Sequence, residues 1–330
     1  MNIVVTGGAG YIGSVIVEFL VGGGHTVTVL DSLYKGHAGA VTKPANLVKA
    51  DLGDRAALDR ALDESRPDAV IHMAADSLVG ESMGNPSKYF RNNVVNSQIL
   101  VEAMLARGVK RLVFSSTAAV YGEPETVPIT EDLPLNPTNV YGETKLAFER
   151  MLGWYDKIDG LRWIALRYFN AAGATETHGE DHEPETHLIP IVLQVPLGRR
   201  EHVQLFGTDY ATPDGTCIRD YIHVADLADA HIKALEALSG GTPDVPSGAY
   251  NLGNGTGYSN RQVIDSCRRI TGHSIPVVEA PRRAGDPAAL VASSERIRRD
   301  LGWSPRYPEI DQIVDSAWRW HERHSAGYAD

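Results

Sequence analysis

The chain has 330 residues, 43% of them hydrophobic and 22% charged, with a formal net charge of -11. That length buries a large core and suits two domains or one extended one, and the acidic balance excludes a nucleic-acid partner gripped by a broad basic surface. The two cysteines, Cys217 and Cys267, lie far apart with no ligand pattern around them, so they read as reduced thiols of a cytoplasmic protein, and no metal is expected.

The chain starts Met1-Asn-Ile-Val-Val-Thr6, without the charged segment and cleavage site of a signal peptide, and no apolar run reaches the ~20 residues that span a bilayer. No membrane partner is expected. Ile3–Val5 is a β-branched run that reads as a buried strand, broken by Gly7-Gly-Ala-Gly10-Tyr-Ile-Gly13 and followed by helical periodicity from Ser14 to Leu20. Strand, glycine turn and helix in this order make a phosphate site. The glycines let the backbone approach a pyrophosphate, and the helix start offers free N–H groups. A second strand, Thr26–Leu30, ends in Asp31 at the spacing where a carboxylate accepts from ribose hydroxyls, which favours NAD over NADP.

Alternation continues through Leu47–Ala50, leading to Asp51 and Leu52 at the adenine edge, and through Ala69–Met73, leading to Ala74 and Ala75. A long helix is expected over residues 86–107, then a strand from Arg111 to Ser115, Ser116 and Thr117. Tyr141 opens the next helix, and Trp163–Tyr168 is a further strand ending at Phe169-Asn170. Repeated βα units imply a doubly wound parallel sheet of Rossmann type, with ligands beyond the carboxyl ends of its strands. Tyr141 and Lys145, four residues apart on a helix, share one face. An ammonium close to a phenol in a dry site favours the phenolate, so this pair is the candidate base.

Beyond Asn170 the rhythm loosens. Residues 175–186 are polar and loop-like, a short helix resumes after His187, and residues 207–215 form another loop. Helices are expected over residues 224–238, 259–271, 293–301 and 308–324. The expected division is a cofactor domain over residues 1–174, with residues 221–240 packing back on it, and a smaller α/β substrate domain over residues 175–330.

Gly7-x-x-Gly10-x-x-Gly13, Ser115-Ser-Thr117 and Tyr141-x-x-x-Lys145 resemble the extended short-chain dehydrogenase/reductases. Val120-Tyr-Gly122, Leu166-Arg-Tyr-Phe-Asn170, Arg219-Asp-Tyr-Ile-His-Val224, Tyr250-Asn-Leu-Gly253 and Pro281-Arg-Arg-Ala-Gly-Asp286 are similar, within that group, to the UDP-glucose 4-epimerase family, as far as the closing Gly327-Tyr-Ala-Asp330. The resemblance implies tightly held NAD, a UDP-sugar substrate and C4 epimerisation through a 4-keto sugar, serving galactose metabolism or cell-surface polysaccharide supply. Tyr141 would be the base, Thr117 would hydrogen-bond the same sugar oxygen, and Lys145 would hold the nicotinamide ribose and, with the cofactor's positive ring, lower the tyrosine pKa.

The likeness carries a cofactor set of Gly7, Gly10, Tyr11, Ile12, Gly13, Asp31, Ser32, Asp51, Leu52, Met73, Ala74, Ala75, Asn92, Ser115, Tyr141, Lys145 and Tyr168. It carries a substrate set of Thr117, Tyr141, Asn170, His187, Leu188, Gln204, Phe206, Arg219, Arg283 and Asp286. Arg219 and Arg283 would meet the diphosphate, Phe206 would lie near the uracil, and Asp286 would accept from a ribose hydroxyl. His72, His223 and Cys217 read as structural. Two positions depart from the family. Ala74-Ala-Asp76-Ser77 replaces a segment that often carries a cofactor-contacting lysine, and Leu290 stands where some members have a bulky tyrosine. The smaller side chain would admit an N-acetyl group, hence UDP-GlcNAc and UDP-GalNAc. The likeness also implies a homodimer formed by helices near residues 86–107 and 141–156.

Rival readings stay open on sequence alone. A 4,6-dehydratase needs an acid/base pair after the strand-end threonine, where this chain has Ala118 and Ala119. A 4-reductase would exchange its cofactor at each turnover. A non-catalytic dinucleotide sensor would not need Thr117, Tyr141 and Lys145 together.

Overall fold

The computed structural model describes residues 1–240, 245–283 and 286–329. Ala284 and Gly285 of the Pro281–Asp286 motif, and Asp330 of the closing motif, lie outside the described residues.

The first six strands in chain order all enter the large sheet: β1 (Asn2–Thr6), β2 (Thr26–Asp31), β3 (Asn46–Lys49), β4 (Ala69–His72), β5 (Arg111–Thr117) and β6 (Arg162–Tyr168). Then come β7 (Asn170–Ala172), β8 (Val203–Phe206), β9 (Ile218–His223), β10 (Gly248–Leu252), β11 (Gly257–Ser259), β12 (Val277–Ala280) and β13 (Ala289–Leu290). The large sheet runs β10-β6-β5-β4-β1-β2-β3, and every pair in it is parallel. The order reverses between β1 and β4, the crevice where a doubly wound sheet takes its ligand.

Both faces are covered, and each strand serves both. Ile3, Val5, Val27, Val29, Ala69, Ile71, Ile164 and Leu166 enter one core. Val4, Leu30, Val70, Leu112, Phe114, Trp163 and Ala165 enter the other. This two-residue alternation between two buried faces makes the strands read as continuous apolar runs. The first core is closed by α1 (Tyr11–Gly22) and, from far along the chain, by α8 (Val224–Leu238) and α10 (Glu295–Leu301). The second is closed by α2 (Arg55–Ser65), α5 (Asn96–Leu105) and α6 (Val140–Asp159). A third core joins α7 (Leu188–Leu193), β8, α9 (Asn260–Thr271) and α11 (Ile310–Arg323). It is the centre of the smaller unit, beside the short sheets in which β9 pairs with β7, β11 and β13, and β8 pairs with β12.

Two expectations need correction. Residues 248–252, assigned to the substrate unit, are β10 and extend the first sheet by pairing with β6. Ile297, Leu301 and Trp303 also pack into the first core. A local reading sees only a strand and a helix here, because the partners that claim them are about 80 or more residues away. The helix expected over residues 86–107 is interrupted. After α3 (Val79–Gly84) comes α4 (Pro86–Phe90), then a π-helical stretch over Arg91–Val95 before α5. That bulge releases Asn92 and Asn93, whose side-chain amides donate to the Asp76 carboxylate and the Asp76 carbonyl at 3.0 and 2.9 Å.

β5, β6 and α6 are tied together by charge as well as packing. Arg167 Nε and Nη2 donate to Glu149 Oε1 and Oε2 at 3.0 and 2.6 Å, and both side chains are 5% exposed. Ser116 Oγ also donates to Glu149, and Arg167 Nη1 donates to the Tyr121 hydroxyl at 2.8 Å. Tyr121 in turn donates to Asn251 Oδ1 of β10 at 2.7 Å. Removing one partner of such a pair strands a buried charge. Arg167→Met is therefore expected to lower unfolding free energy by ~3–5 kcal/mol in urea denaturation. Glu149→Met/Arg167→Met should lose clearly less, and equal losses would show that the pair is not the cause.

Candidate active site

A cavity of about 590 Å³ opens along the carboxyl ends of the large sheet and continues into the smaller unit. Gly7, Gly10, Tyr11, Ile12 and Gly13 line one end. Gly7 has φ +69°, and a Cβ on it would lie 2.5 Å from Ala74 N. A Cβ on Gly13 would lie 2.1 Å from Gly7 O. A side chain at Gly7 would strike the backbone that follows β4, and one at Gly13 would push the start of α1 off the turn, so the cradle needs glycine at both. Asp31 ends β2 with its carboxylate accepting from Ala9 N and Leu33 N at 3.0 and 2.9 Å. Burial pushes its pKa up while these two N–H groups pull against the shift.

Met73, Ala75, Ser115 and Tyr168 also line the cavity, as expected. Asp31, Ser32, Asp51, Leu52, Ala74 and Asn92 are not among its lining residues. Ser32 and Asp51 accept from backbone N–H groups of their own turns, at Tyr34 and Gly53. Leu52 is a core residue, 5% exposed, so its apolar side chain is used in packing. Ala74 presents its backbone to Gly7. Where the family's lysine was missed, Ser77 lines the cavity, and Asp76 pairs with Lys88 Nζ at 3.3 Å.

At the middle of the cavity stand Thr117, Tyr141 and Lys145. Asn139 caps α6 by accepting from Gly142 N at 2.8 Å, so the helix starts just before Tyr141. A Cβ on Gly142 would come within 2.6 Å of Ala119 O. Glycine there lets α6 close onto the turn after Thr117, which brings the tyrosine to the strand end. Lys145 is 2% exposed, donates to Ser115 O at 2.7 Å and lies 4.8 Å from the centre of the Phe114 ring.

Burial works against the charged forms of both groups. Burial pushes the Tyr141 phenol up to about 12, and the hydrogen bond with Thr117 only opposes this. Burial likewise pulls Lys145 down to about 7, against the pull of Glu149. The ammonium is committed to Ser115 and lies 5.9 Å from the Tyr141 ring centre. Without further positive charge in the cavity the phenol stays protonated, because desolvation outweighs the Thr117 hydrogen bond. His72 is the satisfied core histidine expected, bonded to Thr6 Oγ1 and Ser97 Oγ at 2.7 and 2.8 Å. His223 is structural too, capping α8 at Ala225 N and meeting Ser316.

The far end is lined by Asn170, Leu188, Gln204 and Phe206, and by Arg219, Arg283 and Asp286. Arg219 is paired directly with the Asp286 carboxylate, and the Arg283 guanidinium lies 4.2 Å from the centre of the Phe206 ring. Cys217 also lines this end. Leu290 is half-buried against Val120, Tyr121, Ile129 and Leu146 and is not among the lining residues, but its strand β13 pairs with Arg219.

The sequence reading missed the loop between these ends. Glu180, His182, Thr186 and the expected His187 line the cavity together. His187 Nδ1 lies 2.7 Å from Glu180 Oε1 and 2.9 Å from Glu185 Oε1. Burial opposes charge on Glu180, yet His187 and His182 hold its carboxyl below the usual range. Burial also opposes charge on His187, and Glu180 and Glu185 hold that ring above its usual value. The spacing Glu180-x-His182-x-x-Glu185-x-His187 was visible, but a polar loop gives no sign that its side chains converge.

Residues 3–253 match the model of the NAD dependent epimerase/dehydratase family. A UDP-glucose 4-epimerase of Halalkalibacterium halodurans is 55% identical over 100% of this chain and 98% of its own length. A crystal structure of a UDP-glucose 4-epimerase superposes with a TM-score of 0.97 at 52% identity, over 99% of both chains. That of the Bifidobacterium longum UDP-glucose 4-epimerase in complex with NAD+ and UDP superposes at 0.92, with 36% identity over 99% of this chain and 100% of the other.

Lys145 makes stability depend on pH. Its folded pKa of about 7 lies below the 10.5 of a lysine in the unfolded chain, so between these limits the unfolded chain binds the extra proton and stability rises with pH. For protein freed of cofactor, the expected slope from Lys145 over pH 7–9.5 is positive and at most ~1.4 kcal/mol per unit. Urea titrations of the wild type and Lys145→Met should differ by that slope. Parallel pH profiles would show that the lysine stays charged.

Proposed function

The chain belongs to the NAD-dependent epimerase/dehydratase family, and on that premise we propose that it interconverts UDP-glucose and UDP-galactose by inverting C4 of the sugar. NAD is its cofactor. One observation carries the reading: Thr117, Tyr141 and Lys145 share a single cavity with a glycine cradle at one end and Arg219, Arg283 and Phe206 at the other. The cradle suits a dinucleotide, since Gly7, Gly10 and Gly13 bring bare backbone to the cavity wall at the start of α1. When bound, NAD supplies a hydride acceptor and donor and a positively charged ring.

The protein's part is proton transfer, grip and exclusion of water. Tyr141 takes the proton of the 4-hydroxyl as the sugar becomes a 4-keto sugar, and later returns it to the same oxygen. Its buried phenol rests protonated at neutral pH, so it acts as base only when further positive charge enters the cavity beside Lys145. Thr117 shares the sugar oxygen and keeps the proton in line. Arg219 and Arg283 hold the diphosphate. Arg219 exchanges its bond to Asp286 for the phosphate, which frees Asp286 for a ribose hydroxyl. The keto sugar turns about its link to the diphosphate and presents its opposite face, so the nucleotide is gripped firmly and the sugar loosely. Ala118 and Ala119 carry no proton-transfer group, which sets this reading apart from a dehydratase.

A further activity on UDP-GlcNAc and UDP-GalNAc is supported by the likeness to the UDP-Glc/GlcNAc 4-epimerase of Campylobacter jejuni, 39% identical over 97% of this chain with a TM-score of 0.85, and not by Leu290, which lies outside the cavity lining. A homodimer is supported by apolar side chains left exposed near the expected interface: Met83, Phe90 and Val95 before and in the bulged helix, and Trp154 and Ile158 on α6. Two buried free cysteines suit a reducing cytoplasm, and among the described residues no helix is long and apolar enough to cross a membrane.

UDP-galactose given to the purified protein without added NAD is expected to yield UDP-glucose, and the same assay on the acetylated pair reads substrate range. Tyr141→Phe should lower kcat by ~10²–10⁴ while leaving UDP binding within a few fold. Wild-type turnover in that variant would remove the phenol from the mechanism. Light scattering should give twice the 35.8 kDa chain mass, and a single chain mass would remove the dimer.

A further inference from the structure

We propose that Glu180, His182, Glu185 and His187 form a site for one divalent transition-metal ion of the zinc class. One donor atom from each of the four lies within 4.8 Å of all the others. Zinc binds imidazole nitrogen and carboxylate oxygen at about 2.0–2.2 Å, which puts tetrahedral donors roughly 3.4 Å apart. The spacings present are 2.7 Å between His187 Nδ1 and Glu180 Oε1, 2.9 Å between His187 Nδ1 and Glu185 Oε1, and 3.1 Å between His182 Nδ1 and Glu180 Oε1. At these three contacts an ion at the centre needs the donors to move apart by less than roughly an ångström.

Hydrogen bonds crowd this cluster: Glu185 Oε1 accepts from the Thr186 and His187 backbone N–H groups at 2.6 and 2.7 Å as well as facing His187 Nδ1. Glu180 Oε1 faces two imidazole nitrogens, and His187 Nδ1 faces two carboxylate oxygens. One N–H cannot point at both oxygens with good geometry. A cation accepts lone pairs from all four at once, and two carboxylates with two neutral imidazoles balance a charge of two. Glu180 is 5% exposed, and a carboxylate this deep needs either a cation or a close set of donors.

The surroundings hold the ligands in place. The loop is anchored just before the site, where Tyr328 Oη accepts from Gly179 N at 3.0 Å, and just after it, where α7 begins at Leu188. The Tyr11 ring meets the His182 ring edge-on at 6.2 Å, and Tyr11 donates to Gly173 O at 2.6 Å. The ion thus fixes the segment between the glycine cradle and the first turn of α7, and offsets two carboxylates beside a cavity built for phosphates. Its role is structural, with all four positions filled by the protein.

The test uses tag-free protein, stripped with a chelator and titrated with Co2+, whose visible d–d bands report nitrogen and oxygen coordination at low symmetry. The expected result is saturation near one equivalent, loss of the bands when Zn2+ is added, and X-ray absorption with the scattering pattern of two imidazoles. His182→Ala/Glu185→Gln is expected to weaken binding at least a hundredfold while circular dichroism stays unchanged. Should that variant not fold, the wild-type titration and absorption spectrum decide by themselves. A wild-type chain that takes up neither ion at micromolar concentration, or a folded variant that binds Co2+ as well as the wild type, overturns the assignment. None of these readings depends on turnover, so the metal site and the epimerase reading fail separately.

Discussion

A charged amine buried at the carboxyl end of β5 sets the terms for the rest of the molecule. Lys145 is 2% exposed and touches the Ser115 carbonyl and the Phe114 ring. Its nearest acid, Glu149, is already held by Arg167 and Ser116. An ammonium in such a place loses its hydration and gets little back, so burial pulls its pKa down to about 7. The same dryness drives the neighbouring phenol up to about 12. The two groups are thus held away from their charged forms by one cause, and added positive charge is what tips the phenol toward ionisation. A site built this way keeps its base protonated until the cavity is filled.

The cavity carries its charges in a graded order. Glycine N–H groups stand at one end, the lysine and tyrosine at the middle, and Arg219 and Arg283 at the other end. The arginines do not face solvent idly. One is paired with Asp286 and the other lies on Phe206. Exchanging one carboxylate for a phosphate costs less than desolvating a bare guanidinium and gives a fixed direction to the incoming nucleotide. Between the ends, the acidic and imidazole side chains of residues 180–187 contribute charges of both signs beside the path.

That same loop joins distant parts of the fold. Thr175 and Thr177 donate to Glu18 of α1, and the Asp181 carboxylate accepts from Tyr328 N near the chain's end. His178 meets Ala40 O and Thr42 Oγ1. The polar composition that makes the segment read as a loop is what lets it bond to α1, to residues 40–42 and to Tyr328 at once. Its polar side chains substitute for packing.

By itself the sequence determined the features that short-range physics decides. The β-branched runs, the glycine cradle after β1, the acid ending β2, and the placing of Tyr141 and Lys145 one helical turn apart follow from local geometry, and the likeness of ordered motifs pointed to the cavity-lining substrate set. Tertiary structure alone decided the return of β10 to the first sheet, the π-helical break freeing Asn92 and Asn93, the pairing of Arg219 with Asp286, and the convergence of Glu180, His182, Glu185 and His187. It also decided how strongly burial opposes the charged forms of Tyr141 and Lys145. Spacing fixes which groups are neighbours, whereas the degree to which water is removed from them, and which distant partner reaches them first, is settled only when the whole chain closes around the site.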